Sequence, residues 1–263
     1  MTAKARVLET KGLTVHFGGL TAVKDVDLYL DEGELVALIG PNGAGKTTVF
    51  NLLTGVYRPT AGEIRFFGER IDGIAPHRLT RKGIARTFQN IRLFQNLTVL
   101  DNVRIAYQVN THHTFIDSIF RLPRFFREEN RMLAESRKLL ERVGLSAVEG
   151  ELARNLPYGM QRRLEIARAL ATRPKLLLLD EPAAGMNPRE TQELMDLIRQ
   201  VREAFGLTIL LIEHDMSLVM SVSERIYVLD HGALIAHGTP VEVRKNPRVI
   251  EAYLGEAAED ALA

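Results

Sequence analysis

The chain has 263 residues, with 34 basic and 33 acidic side chains and a formal charge of +1; so small a positive excess argues against bulk binding to a nucleic-acid backbone. Apolar residues make up 46% and charged residues 25%, the usage of a soluble globular protein with enough apolar material for a sizeable core. The lack of cysteine excludes a disulfide scaffold, a thiolate nucleophile and a zinc–cysteine site, and no uncharged apolar run approaches the ~18 residues of a membrane span.

No secretory-type apolar stretch follows Met1 to Arg6, so the sequence predicts a cytoplasmic chain whose membrane role, if any, runs through a partner. Residues 6–39 read as strands. Val23, Val26, Leu28 and Leu30 roughly alternate with polar neighbours, as in a half-buried strand. Leu35 to Ile39 is apolar without interruption, which suits a strand covered on both faces. Glycines at 40, 43 and 45 lead into a helix-compatible stretch from Lys46 to about Thr54, and a short strand pattern spans Glu63 to Phe67.

From about Leu97 to Asn155 strand signals fade and charged helical patterns take over, which predicts a helical lobe inserted at 97–155. Within it, residues 115–126 combine Phe115, Ile116, Ile119, Phe120, Leu122, Phe125 and Phe126 with Arg121 and Arg124. They read either as core of the lobe or as a contact with a membrane-embedded partner. Strand signals return at Leu176 to Leu179 and at Thr208 to Ile212. Between them Asn187 is placed to cap a helix, Pro188 fits its first position, Glu190 completes a capping box and Gly206 ends it. Leu194, Leu197, Ile198 and Val201 form its buried stripe. Residues 256–263 are small and acidic and predict a disordered tail. Strands alternating with helices argue for an α/β fold with a parallel sheet and helices on both faces.

Gly40-Pro41-Asn42-Gly43-Ala44-Gly45-Lys46-Thr47 fits the G-x-x-x-x-G-K-[ST] phosphate loop. The glycines let backbone N–H groups close around phosphate oxygens, and the following helix offers its positive end. Lys46 can reach the β- and γ-phosphates, and the Thr47 hydroxyl can ligate Mg²⁺. Asp180 and Glu181 end a buried strand, where ligands collect in parallel sheets; Asp180 suits a Mg²⁺ partner and Glu181 a general base for water. His214 follows the next apolar strand, within hydrogen-bonding reach of a γ-phosphate if the two strands are neighbours.

Together these residues resemble the nucleotide-binding subunit of ATP-binding-cassette (ABC) transporters over nearly the whole chain. The resemblance implies a P-loop ABC ATPase cassette: a mainly parallel sheet core, an antiparallel β subdomain and an inserted α-helical subdomain. It implies ATP and Mg²⁺ as cofactors, with Phe17 stacking on adenine, Thr48 joining the phosphate loop, and Gln89 linking metal and water to the helical lobe. Leu156, Tyr158 and Gly159 occupy the family signature, Ala184-Gly185-Met186-Asn187 the loop after the two carboxylates, and His214 the switch position. Arg86-Thr87-Phe88-Gln89, Arg162 to Arg168, Glu181-Pro182-Ala183-Ala184-Gly185 and the ending Ala252-Tyr253-Leu254-Gly255 resemble the branched-chain amino-acid importer branch. ATPase subunits for another solute such as urea, or for lipid export, are the alternatives, and a cassette acting on nucleic acid is the remote one.

The same resemblance implies a second ATPase subunit as partner, a different chain or a second copy, together with transmembrane permease subunits and a peripheral position on the inner face of the membrane. Two departures from the family pattern stand out. Pro157 replaces the usual serine of the signature and supplies neither hydroxyl nor N–H, and Asn187 replaces an aspartate. They predict an asymmetric pair in which this chain's phosphate loop works with a partner's signature, and a poor ATPase when alone.

Overall fold

The computed structural model describes residues 5–111 and 123–260. Two long strands, β1 (Arg6–Phe17) and β2 (Leu20–Asp31), form an antiparallel pair that β4 (Ala61–Phe66) and β5 (Glu69–Arg70) extend into a sheet of order β2-β1-β4-β5. The second sheet has the order β10-β9-β3-β8-β7-β6, built from β3 (Leu35–Ile39), β6 (Ile84–Arg86), β7 (Leu176–Asp180), β8 (Thr208–Ile212), β9 (Arg225–Asp230) and β10 (Ala233–Gly238). Its β9-β3-β8-β7-β6 ladders are parallel, and only β10 runs antiparallel, on β9. The expected mainly parallel core and separate antiparallel sheet are both present.

The apolar runs behave as strands covered on both faces should. Alternate residues of each central strand enter different cores: Leu35, Leu177, Leu179, Ile209 and Leu211 face one cluster, while Leu38, Leu176, Leu178, Leu210 and Ile212 face the other. That second cluster joins the two sheets around helix α1 (Lys46–Leu53). The sequence pattern shows five-residue runs but not which strand sits beside which; the central place of β3 comes only from the fold. β6 has only three residues and β10 ends in His237-Gly238, so neither stands out as a strand in the sequence.

Helix α2 (Pro76–Lys82) precedes β6, and between β6 and β7 every regular helix or strand among the described residues is helical. The α-helices here are α3 (Val99–Tyr107), α4 (Pro123–Arg142) and α5 (Tyr158–Ala171), which pack on one another. Residues 115–122 of the apolar segment, and the histidine pair at 112 and 113, lie outside the described residues. Of its remainder, Phe126 is exposed and meets Phe125 edge to face.

Helix α6 (Pro188–Phe205) is capped as its sequence requires, with the Asn187 side chain and Glu190 forming both halves of a capping box and Gly206 left-handed at its end. Helix α7 (Met216–Val222) follows β8, and α8 (Pro240–Arg244) and α9 (Pro247–Asp260) close the chain against β10. Helix α9 runs through Asp260; residues 261–263 of the tail expected to be disordered lie outside the described residues. No helix among the described residues is long and apolar enough to cross a membrane.

Candidate active site

The parallel register aligns Leu38, Ile212 and Asp180 across β3, β8 and β7. At about 4.8 Å per strand, Leu38 and Asp180 stand about 10 Å apart, and the residues that follow each strand converge on one edge. The phosphate loop leaves β3 there. Gly40 has φ +150 and passes so close to β9 that a Cβ would lie 2.0 Å from the Leu229 carbonyl oxygen, so only glycine fits. Gly45, at φ 98, turns the chain into α1 with no side-chain cap and no acid in the first turn. The amides of that turn give the loop a positive pole.

The Lys46 ammonium is buried beneath the loop and donates to the carbonyls of Gly40 at 2.6 Å and Pro41 at 2.8 Å. Pro41 and Ala44 are buried, Asn42, Gly43 and Thr47 exposed, and Thr48 half-buried. The face the loop offers to solvent is therefore made of small residues, backbone and a hydroxyl. Phe17 closes β1 with its ring exposed, 5.0 Å from Tyr57 edge to face. In the facing strand the Ala22 carbonyl packs against Gly45, where a Cβ would come within 2.7 Å, so the hairpin bearing Phe17 stands beside the loop.

The acids sit across the edge. Asp180 is buried at the end of β7 and accepts 2.7 Å from Arg86. Glu181 leaves the strand in the left-handed region, φ 44, and its N–H is held by the Ile212 carbonyl at 2.9 Å. That turn aims its carboxylate out of the sheet. One oxygen, Oε2, takes a 2.9 Å hydrogen bond from Gln89 and stands 3.8 Å from His214 Nδ1, so the three side chains expected to act together do meet. His214 is 64% exposed, and its Nδ1 also stands 3.9 Å from Glu213 Oε2.

Two acids behind this row were not read from the sequence. Glu213, 1% exposed, accepts 3.0 Å from the Ala183 N–H, and burial pushes its carboxyl above the usual range. Glu165 in α5 is buried and is shifted up for the same reason, against the pull of Arg162. For Glu165, flanked by Leu164 and Ile166, an acid between apolar neighbours was the available signal; Glu213, beside His214 and Asp215, offered none.

The family described as "ABC transporter" matches residues 23–184. The high-affinity branched-chain amino acid transport ATP-binding protein BraF of Pseudomonas aeruginosa is 51% identical over 95% of this chain and 98% of its own length. This chain belongs to the ABC transporter family. LivG, the corresponding protein of Escherichia coli K12, is 49% identical over the same shares. A second family, "Branched-chain amino acid ATP-binding cassette transporter", matches residues 233–259. An ATP-binding cassette of an ABC transporter in its ADP conformation superposes with a TM-score of 0.83 at 31% identity, covering 95% of this chain and 99% of that one. A cassette solved as a dimer in a post-hydrolysis state with ADP and Pi gives a TM-score of 0.74 at 25% identity, over 89% and 98%.

In this member of the ABC transporter family the signature residues are not gathered at the phosphate loop. Tyr158 is tied instead to the stretch after Glu181 and, through Arg162, to the Gln89 segment, while Leu156 is buried in the helical core. The Tyr158 hydroxyl donates to the Ala184 carbonyl at 3.0 Å. Arg162, 0% exposed, donates to the carbonyls of Phe88 at 2.7 Å and Gln89 at 2.8 Å and to Glu165 at 2.7 Å. Glu165 in turn accepts from the Phe88 and Arg92 amides. Pro157 sits at the N-cap of α5 and makes no capping hydrogen bond, while the Asn187 side-chain oxygen Oδ1 accepts from the Glu190 N–H at 3.0 Å in the cap of α6. A buried Arg–Glu pair at i, i+3 within Arg162 to Arg168 is the signal that sequence reading passed over.

Proposed function

We propose that this chain is the subunit that hydrolyses ATP to drive a membrane importer of branched-chain amino acids. The observation that carries the chemistry is the convergence of Gln89 and His214 on one oxygen of Glu181, at the edge where the loop of Lys46 ends. Relatives named for branched-chain amino acid transport, aligned over nearly their full length, support the cargo.

In this reading Lys46 gives up its loop carbonyls for the β- and γ-phosphates, and the small-residue loop lets backbone amides approach the same oxygens. Phe17 offers an exposed face to the base. Glu181 accepts a proton from the attacking water, and Gln89 and His214 fix its carboxylate and that water in line. Thr47 and Asp180 suit Mg²⁺: both present hard oxygen donors, and no cluster of three or more acids or histidines exists among the described residues. Such a sparse set matches an ion that keeps waters and phosphate oxygens as its other ligands. Bound there, the ion would neutralise charge developing on the transferred phosphoryl group.

The partners follow from the signature. Leu156, Tyr158 and Gly159 lie away from their own phosphate loop, so in this reading they face the nucleotide of a second ATPase subunit in a head-to-tail pair, and Gln89 passes the closure to transmembrane permease subunits on the cytoplasmic side. The uncapped Pro157 favours a different chain as the second subunit, with the stronger site formed by this chain's loop and that partner's signature.

Glu181→Gln should keep ATP binding while turnover falls about 10²–10⁴-fold. Turnover within a few-fold of the parent protein would remove Glu181 as the base. The cargo is tested by purifying the chain with its permease, placing the complex in vesicles and following ATP-driven leucine uptake. Uptake of urea but not leucine would reassign it.

A further inference from the structure

Arg86 lies three residues before Gln89 in β6, and nothing in its local sequence marks it for burial, yet its side chain is 6% exposed. Its guanidinium joins three elements. One nitrogen donates 2.7 Å to Asp180 Oδ2 in β7. The other donates 2.6 Å to Asn51 Oδ1 and 3.4 Å to Thr54 Oγ1, both on the α1 side that the phosphate loop opens. Its plane lies 5.5 Å from the Phe50 ring and 4.9 Å from the Phe88 ring.

A buried ion pair is at best about neutral for stability against apolar residues of the same size. This one also leaves the buried Arg86 Nε without a protein partner. Stability alone therefore does not explain a charged pair at this point. What it does provide is geometry: a planar fork with one prong on Asp180 and the other on the helix behind the phosphate loop, a role a flexible ammonium does not fill. The two phenyl rings and Asn51 flank the guanidinium, and the carboxylate is tied to it through Oδ2.

We propose that Arg86 is a positioning residue for Asp180, fixing the carboxylate so that its remaining oxygen meets Mg²⁺ brought by the nucleotide. The proposal rests on the reading of Asp180 as the metal's protein partner. Groups that orient a ligating side chain from behind commonly change metal affinity by 10–100-fold when removed, and Arg86 stands in that relation to Asp180.

The test titrates Mg²⁺ into the full-length chain holding a fluorescent ATP analogue, and measures binding of the same analogue in EDTA. Arg86→Met should raise the Mg²⁺ concentration for half-maximal tightening about tenfold or more and leave the EDTA affinity unchanged. Arg86→Lys, which keeps charge but not the fork, should fall between the two. A half-maximal Mg²⁺ concentration for Arg86→Met within twofold of the parent, or below it, overturns the proposal. Should Arg86→Met fail to fold, Arg86→Lys decides: a shifted Mg²⁺ response with intact EDTA binding supports positioning, while parent-like titration, or equal loss in both conditions, overturns it. Asp180→Asn separates the two claims. If that variant keeps the parent's Mg²⁺ response, the reading of Asp180 fails and this inference with it; if Asp180→Asn shifts the response and Arg86→Met does not, only Arg86 is misassigned.

Discussion

Lys46 reaches the carbonyls of Gly40 and Pro41, six and five residues back in the chain, whereas Arg162 reaches those of Phe88 and Gln89, 74 and 73 residues away. Both cations are buried and both bind main-chain oxygens, but they organise different things. The phosphate loop is recognisable from its own glycines and its lysine donates to carbonyls within the loop, although β2 and β9 pack against Gly45 and Gly40 from outside. The seam between α5 and the Gln89 segment has no such local order. Arg162, Glu165 and Tyr158 pull together the signature, the chain leading to Gln89 and the chain leaving Glu181. The lesson is that the ligand-holding half of the site is local, and the half that relays its state is tertiary.

Substitutions should separate the two halves. The largest effect is expected at the seam: Arg162→Met leaves Glu165 buried without its partner and frees two carbonyls, and should cost about 3–5 kcal/mol of stability, read from denaturant unfolding. Nucleotide affinity of the fraction still folded should change little, because no phosphate-loop atom touches Arg162. A loss below about 1 kcal/mol would mean that the seam is not held by this residue. Lys46→Ala should do the reverse, weakening ATP binding about 10–100-fold, the worth of one charged contact, while shifting the unfolding midpoint only slightly. Equal damage to folding and binding in both variants would erase the contrast.

The smallest effect concerns pH. Burial raises the Glu213 carboxyl in the folded chain above its ordinary value of 4.5, so the folded state holds that proton more tightly than the unfolded one. The group therefore favours folding at low pH, and the advantage is lost as pH rises from about 4.5 through the raised folded value. Glu213→Gln keeps an acceptor for the Ala183 N–H and removes the titration. Its melting temperature should exceed the parent's by about 2–4 °C near neutral pH, with the gap closing toward pH 4.5. A gap that stays constant with pH would show that the side chain is not titrating in the folded protein. Comparison with the parent matters because Glu165 shifts the same way and Asp72 the opposite way.

Much of this was legible in the residues themselves. The loop from Gly40 to Thr47, the acids ending the Leu176 run and the cap at Asn187 each depend on neighbours within a few positions, and each lies in the structure where local rules put it. Arg162 and Arg86 were not legible as functional residues. Both lie in stretches that carry the family resemblance, but the partners that decide their burial, Asp180 and Asn51 for Arg86 and the Phe88 and Gln89 carbonyls for Arg162, come from elsewhere in the chain.

The sequence alone determined which backbone can take a phosphate and which side chains can handle a metal and a proton, because steric permission at glycine and the chemistry of lysine, aspartate and glutamate belong to the residues. Only the tertiary structure decided that β8 would lie between β3 and β7, so that Gln89, Glu181 and His214 share one corner, and that two buried arginines would brace it. Strand order and burial arise from how apolar faces find one another across the whole chain, and no short window of residues contains that information.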